Sequence, residues 1–519
     1  ALAELQREAA AYETNAKEYR STITRIVKHH YEERKRRILS ALDRELTIEK
    51  KALIDAREEA IRRLEIFIEK YSGANAHPEN TPDAMFRLAA LYEEKARADE
   101  TDISDEQLAE RLQKAITLYK RIIKEFPKYR ELAGVFYYLG HALSDSNRKP
   151  EAQQVWRSLV CKNEYAYPVE ADAKDPNKDV VFPLPQDHDD KYWQEWERRH
   201  PEPMKTKGPK GPAKPAAKPG KRPAADDLVD ESSFQNPFPS TCVAIPQKTL
   251  AGAEPRYVAE VWWLIGDYHF NEIGREGGAF NFNRAQAAYT NSLRFKKPPI
   301  YGVSMYKLAW TYFKQQRFKS SVVQFIELLR YADEQEKLTG DPGSDFRGEA
   351  FTYIAGSLTY LDFDGPGPDE PYIPRNDVLD TEQDPKKQEQ KMHVAIDRVQ
   401  DEALIPQKEK WTVEIYKALA QEFKELNQYR NTIEVSELIL KKWPMDCGAP
   451  VVQNQIAETY DTMMRQSKEG TAEYQENSEK ALNARTKLAE YVGANKPWTR
   501  ACINDPEAIQ TAERLVRGG

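Results

Sequence analysis

The sequence predicts an all-α solenoid preceded by one long helix and broken by an irregular insertion. Three observations carry this prediction. Residues 3–71 contain neither Gly nor Pro and are rich in Ala, Glu, Lys, Arg and Leu, all good helix formers. From about residue 83 to 491, one helical-hairpin spacing recurs. The 519 residues are also 31% charged with a mean hydropathy of −0.78, too polar for one compact core of that length and suited to an elongated array.

The first segment, 1–72, ends at Ser72-Gly73. Fully helical, it spans on the order of 100 Å at about 1.5 Å per residue. Two apolar stripes compete along it. Tyr31, Leu42, Leu53 and Leu64 fall at steps of eleven, whereas Leu39, Leu46, Leu53, Ala60 and Phe67 fall at steps of seven. The first spacing implies a nearly straight or slightly right-handed coil and the second a left-handed one. Either stripe is narrow and calls for a partner: a second copy, another protein, or the first repeats folding back. The run KHHYEERKRR (28–37) is diluted by Glu32 and Glu33 and reads as a solvated helix face.

The repeat is plainest in MYKLAWTYFKQQRFKSSVVQFIELLRY (305–331). Met305, Leu308, Ala309 and Tyr312 share one face of a first helix; Ser321, Phe325 and Leu328 share one face of a second. Ala309 and Ser321 are small enough for the two helices to approach closely. The same spacing gives Met85, Leu88, Ala89 and Tyr92 with Ala115, Tyr119, Ile122 and Pro127. It gives Phe136, Leu139, Gly140 and Leu143 with Ala152, Trp156 and Leu159, and Trp262, Ile265 and Gly266 with Ala285, Tyr289 and Ser292. It returns as Tyr416, Leu419, Ala420 and Phe423 with Thr432, Ser436 and Ile439, and as Ile456, Ala457 and Tyr460 with Ala481 and Leu488. A further first helix, Phe351, Ile354, Ala355 and Leu358, has its partner displaced or lost. The array thus reads as six to seven helix pairs over 83–163, 257–360 and 411–519, with a loop-rich linker at 361–410.

A large residue, Leu-Gly/Ala, Tyr, then Ala, Phe/Tyr, Ala/Leu and a closing Pro resembles the tetratricopeptide repeat, with divergence where Ser321 and Thr432 replace Ala. The resemblance implies stacked hairpins with a continuous core and a superhelix whose concave side is lined by first helices. It also places the residue after the first large position, and the residue after Gly/Ala, on that side. These are Phe86, Tyr137, His141, Trp263, Asp267, Tyr306, Trp310, Lys417 and Gln421. Such aromatic lining either anchors a peptide or partner helix or is covered by the chain itself. The Lys/Asn set by which some family members clamp a terminal carboxylate is absent. Repeats of this kind with a long helix and paired cysteines resemble envelope-assembly components of Gram-negative bacteria, and the layout is similar to that of myxobacterial gliding and secretion proteins. That likeness implies a periplasmic scaffold binding other proteins. A cytoplasmic regulatory adaptor that oligomerises through residues 1–72 is the alternative.

The insertion, 164–256, contains a low-complexity tether at 203–232 whose basic residues are Lys205, Lys207, Lys210, Lys214, Lys218, Lys221 and Arg222. A spacer is the favoured reading, and contact with a polyanion or membrane surface is the other. Asp187, His188, Asp189 and Asp190 lack spaced companions, so no metal is expected. Cys161 and Cys242 bracket the insertion, and Cys447 and Cys502 bracket the last repeat-like unit. They are candidate disulfide pairs, with four buried thiols as the alternative. Phosphate-loop, dinucleotide, nucleophile-elbow and zinc-protease motifs are all missing, so no catalysis and no cofactor is expected. A net charge of −7 argues against specific nucleic-acid binding. No apolar run approaches the roughly 18 residues a membrane helix needs. The chain opens ALAELQREAA without Met, as a processed or trimmed product would.

Overall fold

The computed structural model describes residues 2–98, 104–160, 257–271, 280–295, 300–343, 345–365, 367, 385–493 and 495–518. Cys161, Cys242, the aspartates and histidine at 187–190 and the basic tether from Lys205 to Arg222 lie outside them. The described residues form helices joined by turns and irregular connections, without a strand. They fall into two compact units. Ala1–Val135 and Ala142–Asn147 belong to one, and Phe136–His141, 148–160 and 257–518 to the other.

The first unit begins with α1, Leu2–Lys70, followed by α2, Asn80–Ala98, and α3, Asp105–Glu125. Only the end of α1 docks on α2. Arg57, Ile61 and Ile68 are buried there, Leu64 and Phe67 are half-buried, and Lys95 pairs with Glu58 at 2.6 Å. Both expected stripes stay open before that point: Tyr31, Leu39, Leu42, Leu46 and Leu53 are 49–64% exposed. Ser104 and Gln107 close a reciprocal capping box at the start of α3. Met85, Leu88 and Ala89 meet Leu112, Ala115, Ile116, Tyr119 and Ile122 in a dry interior. There the Tyr119 hydroxyl donates to Glu93 at 2.6 Å. The two ends of α4, Leu132–Asp145, belong to this unit, and Asp145 pairs with Arg97 at 2.7 Å.

The second unit contains α5 (Lys149–Val160), α6 (Val258–Asn271), α7 (Phe280–Leu293), α8 (Ile300–Lys314) and α9 (Phe318–Thr339). It continues with α10 (Arg347–Thr359), α11 (Pro385–Met392), α12 (Val394–Gln400), α13 (Thr412–Glu425) and α14 (Tyr429–Lys442). Helices α15 (Ala449–Gln466), α16 (Ala472–Ala489), α17 (Pro497–Ala501) and α18 (Pro506–Gly518) end it. Hairpins α6–α7, α8–α9, α13–α14 and α15–α16 pack pairwise; α7 stacks on α8 and α14 on α15, while α10 stands between α9 and α13. One apolar core runs unbroken from Met305 to Val452.

Small residues set the helix crossings. Ser321 Oγ donates to the Ala309 carbonyl at 2.9 Å, and Ser292 Oγ donates to the Ala259 carbonyl at 2.7 Å. A β-carbon added at Gly266 would stand 2.6 Å from the Tyr289 ring, and one at Gly140 would stand 2.1 Å from the Trp156 indole. The hinges share a conformation as well. Asn147, Gln316 and Asn427 occupy the same repeat position, and all three are left-handed at φ 58°. The turn closes by backbone bonds such as Arg317 N–H to the Tyr312 carbonyl at 2.9 Å and Gln428 N–H to the Phe423 carbonyl at 2.7 Å.

The stretch 361–410, expected as a loop-rich linker, carries α11 and α12 in its described part. Helix α12 packs on α10 and buries Ala395, Ile396 and Val399. It thereby supplies, after a long excursion of the chain, the second helix that α10 lacks in its immediate sequence. Arg398 ties it down by donating to the carbonyls of Leu358 and Tyr360 at 2.6 and 2.7 Å. Beyond α14, Cys447 and Cys502 form a disulfide that closes a small satellite core around Trp498, Ala449 and Ala512.

Candidate protein-binding face

Each first helix buries one side against its second helix and leaves another side half-open. Phe86, in the first unit, lies beside Tyr119 and Tyr129 with centroids 6.0 and 6.5 Å away. The other eight expected lining residues belong to the second unit.

Tyr137 stacks on Tyr257 at 4.4 Å and donates its hydroxyl to Glu260 at 2.7 Å. Burial, reinforced by that carboxylate, raises the phenol well above its ordinary range. His141 meets Tyr137 and Trp156 edge-on. Trp263 packs, half-buried, against the cluster of Ala285, Tyr289, Leu308 and Tyr312. Asp267 pairs with Lys307 at 2.9 Å. Tyr306 lies flat on Phe346 at 4.1 Å and donates its hydroxyl to Glu349. Trp310 leans on Tyr353 at 4.1 Å. Lys417 is held between Glu414 at 2.8 Å and Asp446 at 2.7 Å, contacts that keep its ammonium charged despite burial. Gln421 is exposed and donates to Glu425 at 2.8 Å.

A rule emerges. On three successive first helices a lining side chain bonds a charged residue of the next first helix: Tyr137 to Glu260 and Tyr306 to Glu349 from the position after the large residue, Asp267 to Lys307 from the position after Gly/Ala. Much of the aromatic lining is therefore engaged in joining neighbouring repeats. Tyr306 and Trp310 are largely covered by α10 and the turn before it, while Gln421 stays open.

Between α10, α11 and α13 that coverage fails and a cavity of about 310 Å³ remains. Phe313, Tyr353, Tyr360, Met392, Leu426 and Glu422 line it. Thr352 and Gly356 also reach it, and these are the two positions that the lining rule assigns to α10, the first helix whose partner is displaced. A β-carbon at Gly356 would lie 3.8 Å from Glu422 Oε1, an ordinary contact distance. Sequence reasoning missed Glu422 because its place beside α10 depends on stacking across the excursion. Applying the register to α10 would have found Thr352 and Gly356.

Among the described residues no group of three or more His, Cys, Asp or Glu side chains is arranged to hold a metal ion. A family model described as tetratricopeptide repeat matches residues 83–129, the α2–α3 hairpin and the turn that follows it. No curated protein matches the chain.

Proposed function

We propose that this chain, a tetratricopeptide-repeat protein, is a non-catalytic scaffold that takes segments of other proteins on the half-open side of its first helices. Proteins of this repeat type bind other proteins, and the observation supporting the finer reading is the cavity between α10, α11 and α13. A face used only to join repeats would be filled there, as it is at Tyr306. A second contact surface is the open length of α1, whose exposed Tyr31, Leu42 and Leu53 fit a helical partner or another copy. The Cys447–Cys502 disulfide suits an oxidising compartment, which favours assembly of a multiprotein complex in a bacterial cell envelope, of the gliding or secretion kind. The basic tether between Lys205 and Arg222 would add contact with a polyanion or membrane surface.

Affinity capture with chemical cross-linking tests the groove reading. The double variant Trp263→Ala plus Trp310→Ala, checked for retained helicity, loses the cross-linked partner if the face binds it. Undiminished capture refutes the assignment.

A further inference from the structure

The cavity combines aromatic walls with a single carboxylate that has no counter-ion. Glu422 is half-buried, and among the described residues no cation or side-chain donor satisfies it. Basic residues of its own helix α13 and of α12 are engaged elsewhere: Lys424 with Glu458 at 3.0 Å, Lys417 with Asp446, Arg398 with backbone carbonyls. Burial, with the like charge of Glu425, raises the Glu422 carboxyl above its ordinary range. An uncompensated carboxylate in a half-enclosed apolar site is costly, and a cation entering the site removes that cost. The walls suit a cation too. Phe313, Tyr353 and Tyr360 line the opening, and ring systems attract ammonium and guanidinium groups. Met392 and Leu426 offer apolar surface for an aliphatic stem.

We infer that the cavity between α10, α11 and α13 receives a basic side chain, lysine foremost, of a bound polypeptide, with Glu422 as its counter-ion and Tyr353 and Tyr360 as its aromatic walls. The inference rests on reading the first-helix face as a polypeptide-binding surface and names the chemistry of one anchor on it. It is opposite in charge to a site built to clamp a terminal carboxylate. The volume of about 310 Å³ accommodates a single long side chain rather than a helix.

Methionine-methyl NMR on the full chain tests it, because the chain has only 7 methionines and Met392 lines the cavity. The Met392 signal is assigned by its loss in Met392→Leu. Three probes are titrated: the tripeptide N-acetyl-Ala-Lys-Ala-amide, its norleucine counterpart, and phosphocholine. The lysine peptide is expected to shift Met392 saturably, and the norleucine peptide to bind at least fivefold more weakly. Glu422→Gln, which keeps the side-chain shape, is expected to weaken the lysine peptide at least fivefold. Equal response to norleucine makes the cavity an apolar anchor and overturns the inference. So does a response confined to phosphocholine, which assigns the site to a lipid headgroup, and so does silence of Met392 towards all three. The norleucine comparison needs no variant and holds even if Glu422→Gln fails to fold. Because Trp310→Ala also removes the ring on which Tyr353 leans, the two readings are separated by the norleucine comparison, which uses the unaltered chain and reads the cavity alone.

Discussion

The two sides of the first helices obey different rules. On the side facing the second helix, Met305, Leu308 and Ala309 are buried like Met85, Leu88 and Ala89 of a distant repeat, and small residues set the crossing. On the other side, equivalent positions hold Phe86, Tyr306 and Lys417, and each makes a different bond. The first side is fixed by packing within a hairpin, which every repeat must solve alike. The second depends on what the next first helix presents. It is therefore where the repeats diverge and where the cavity beside Glu422 arises.

The contrast can be broken in graded steps. The largest effect is expected inside a hairpin. Phe325 is fully buried beside Tyr353 and Tyr306, and Phe325→Ala should cost about 3–5 kcal/mol, read as a lowered urea midpoint. Next comes Gly266→Ala, where the added β-carbon runs into the Tyr289 ring. A loss of about 1–3 kcal/mol is expected; a neutral result would mean that the crossing is looser than described. A pH series sharpens the same point on the open side. The raised Glu422 carboxyl is more easily protonated in the folded chain than in the unfolded one. Its contribution to stability is therefore fully present below the ordinary carboxylate range and lost as pH rises through the raised value. Glu422→Gln should remove that part of the decline, measured as urea midpoints on the acid side and at neutrality. The smallest effect is expected at exposed Gln421, where Gln421→Ala should stay within about 0.5 kcal/mol.

The hairpin interior was legible in the sequence because a small residue must recur wherever two helices cross. Ala309 with Ser321 and Gly266 with Tyr289 announce those crossings through spacing alone. The hinges at Asn147, Gln316 and Asn427 share that register, but their left-handed conformation is visible only in the structure. The open side was only partly legible. Position in the repeat assigned Tyr306 and Trp310 to it, Phe346 and Tyr353 lie against them, and nothing in hairpin spacing specifies what the next repeat offers. The docking of α12 on α10 was hidden for the same reason, since the two are separated by a long excursion of the chain. On α1, periodicity displayed two stripes but not where docking ends. That limit is set by the length of α2 against which Arg57, Ile61 and Ile68 are buried.

The central claim, that the open side of the first helices is where another protein sits, is tested most directly by a genetically placed photo-cross-linker. One copy goes at Gln421 on first helix α13 and another at Leu482, 65% exposed on second helix α16. After irradiation in cells, a discrete polypeptide adduct is expected from position 421 and none from 482. Equal adducts from both positions, or none from 421, would contradict the account.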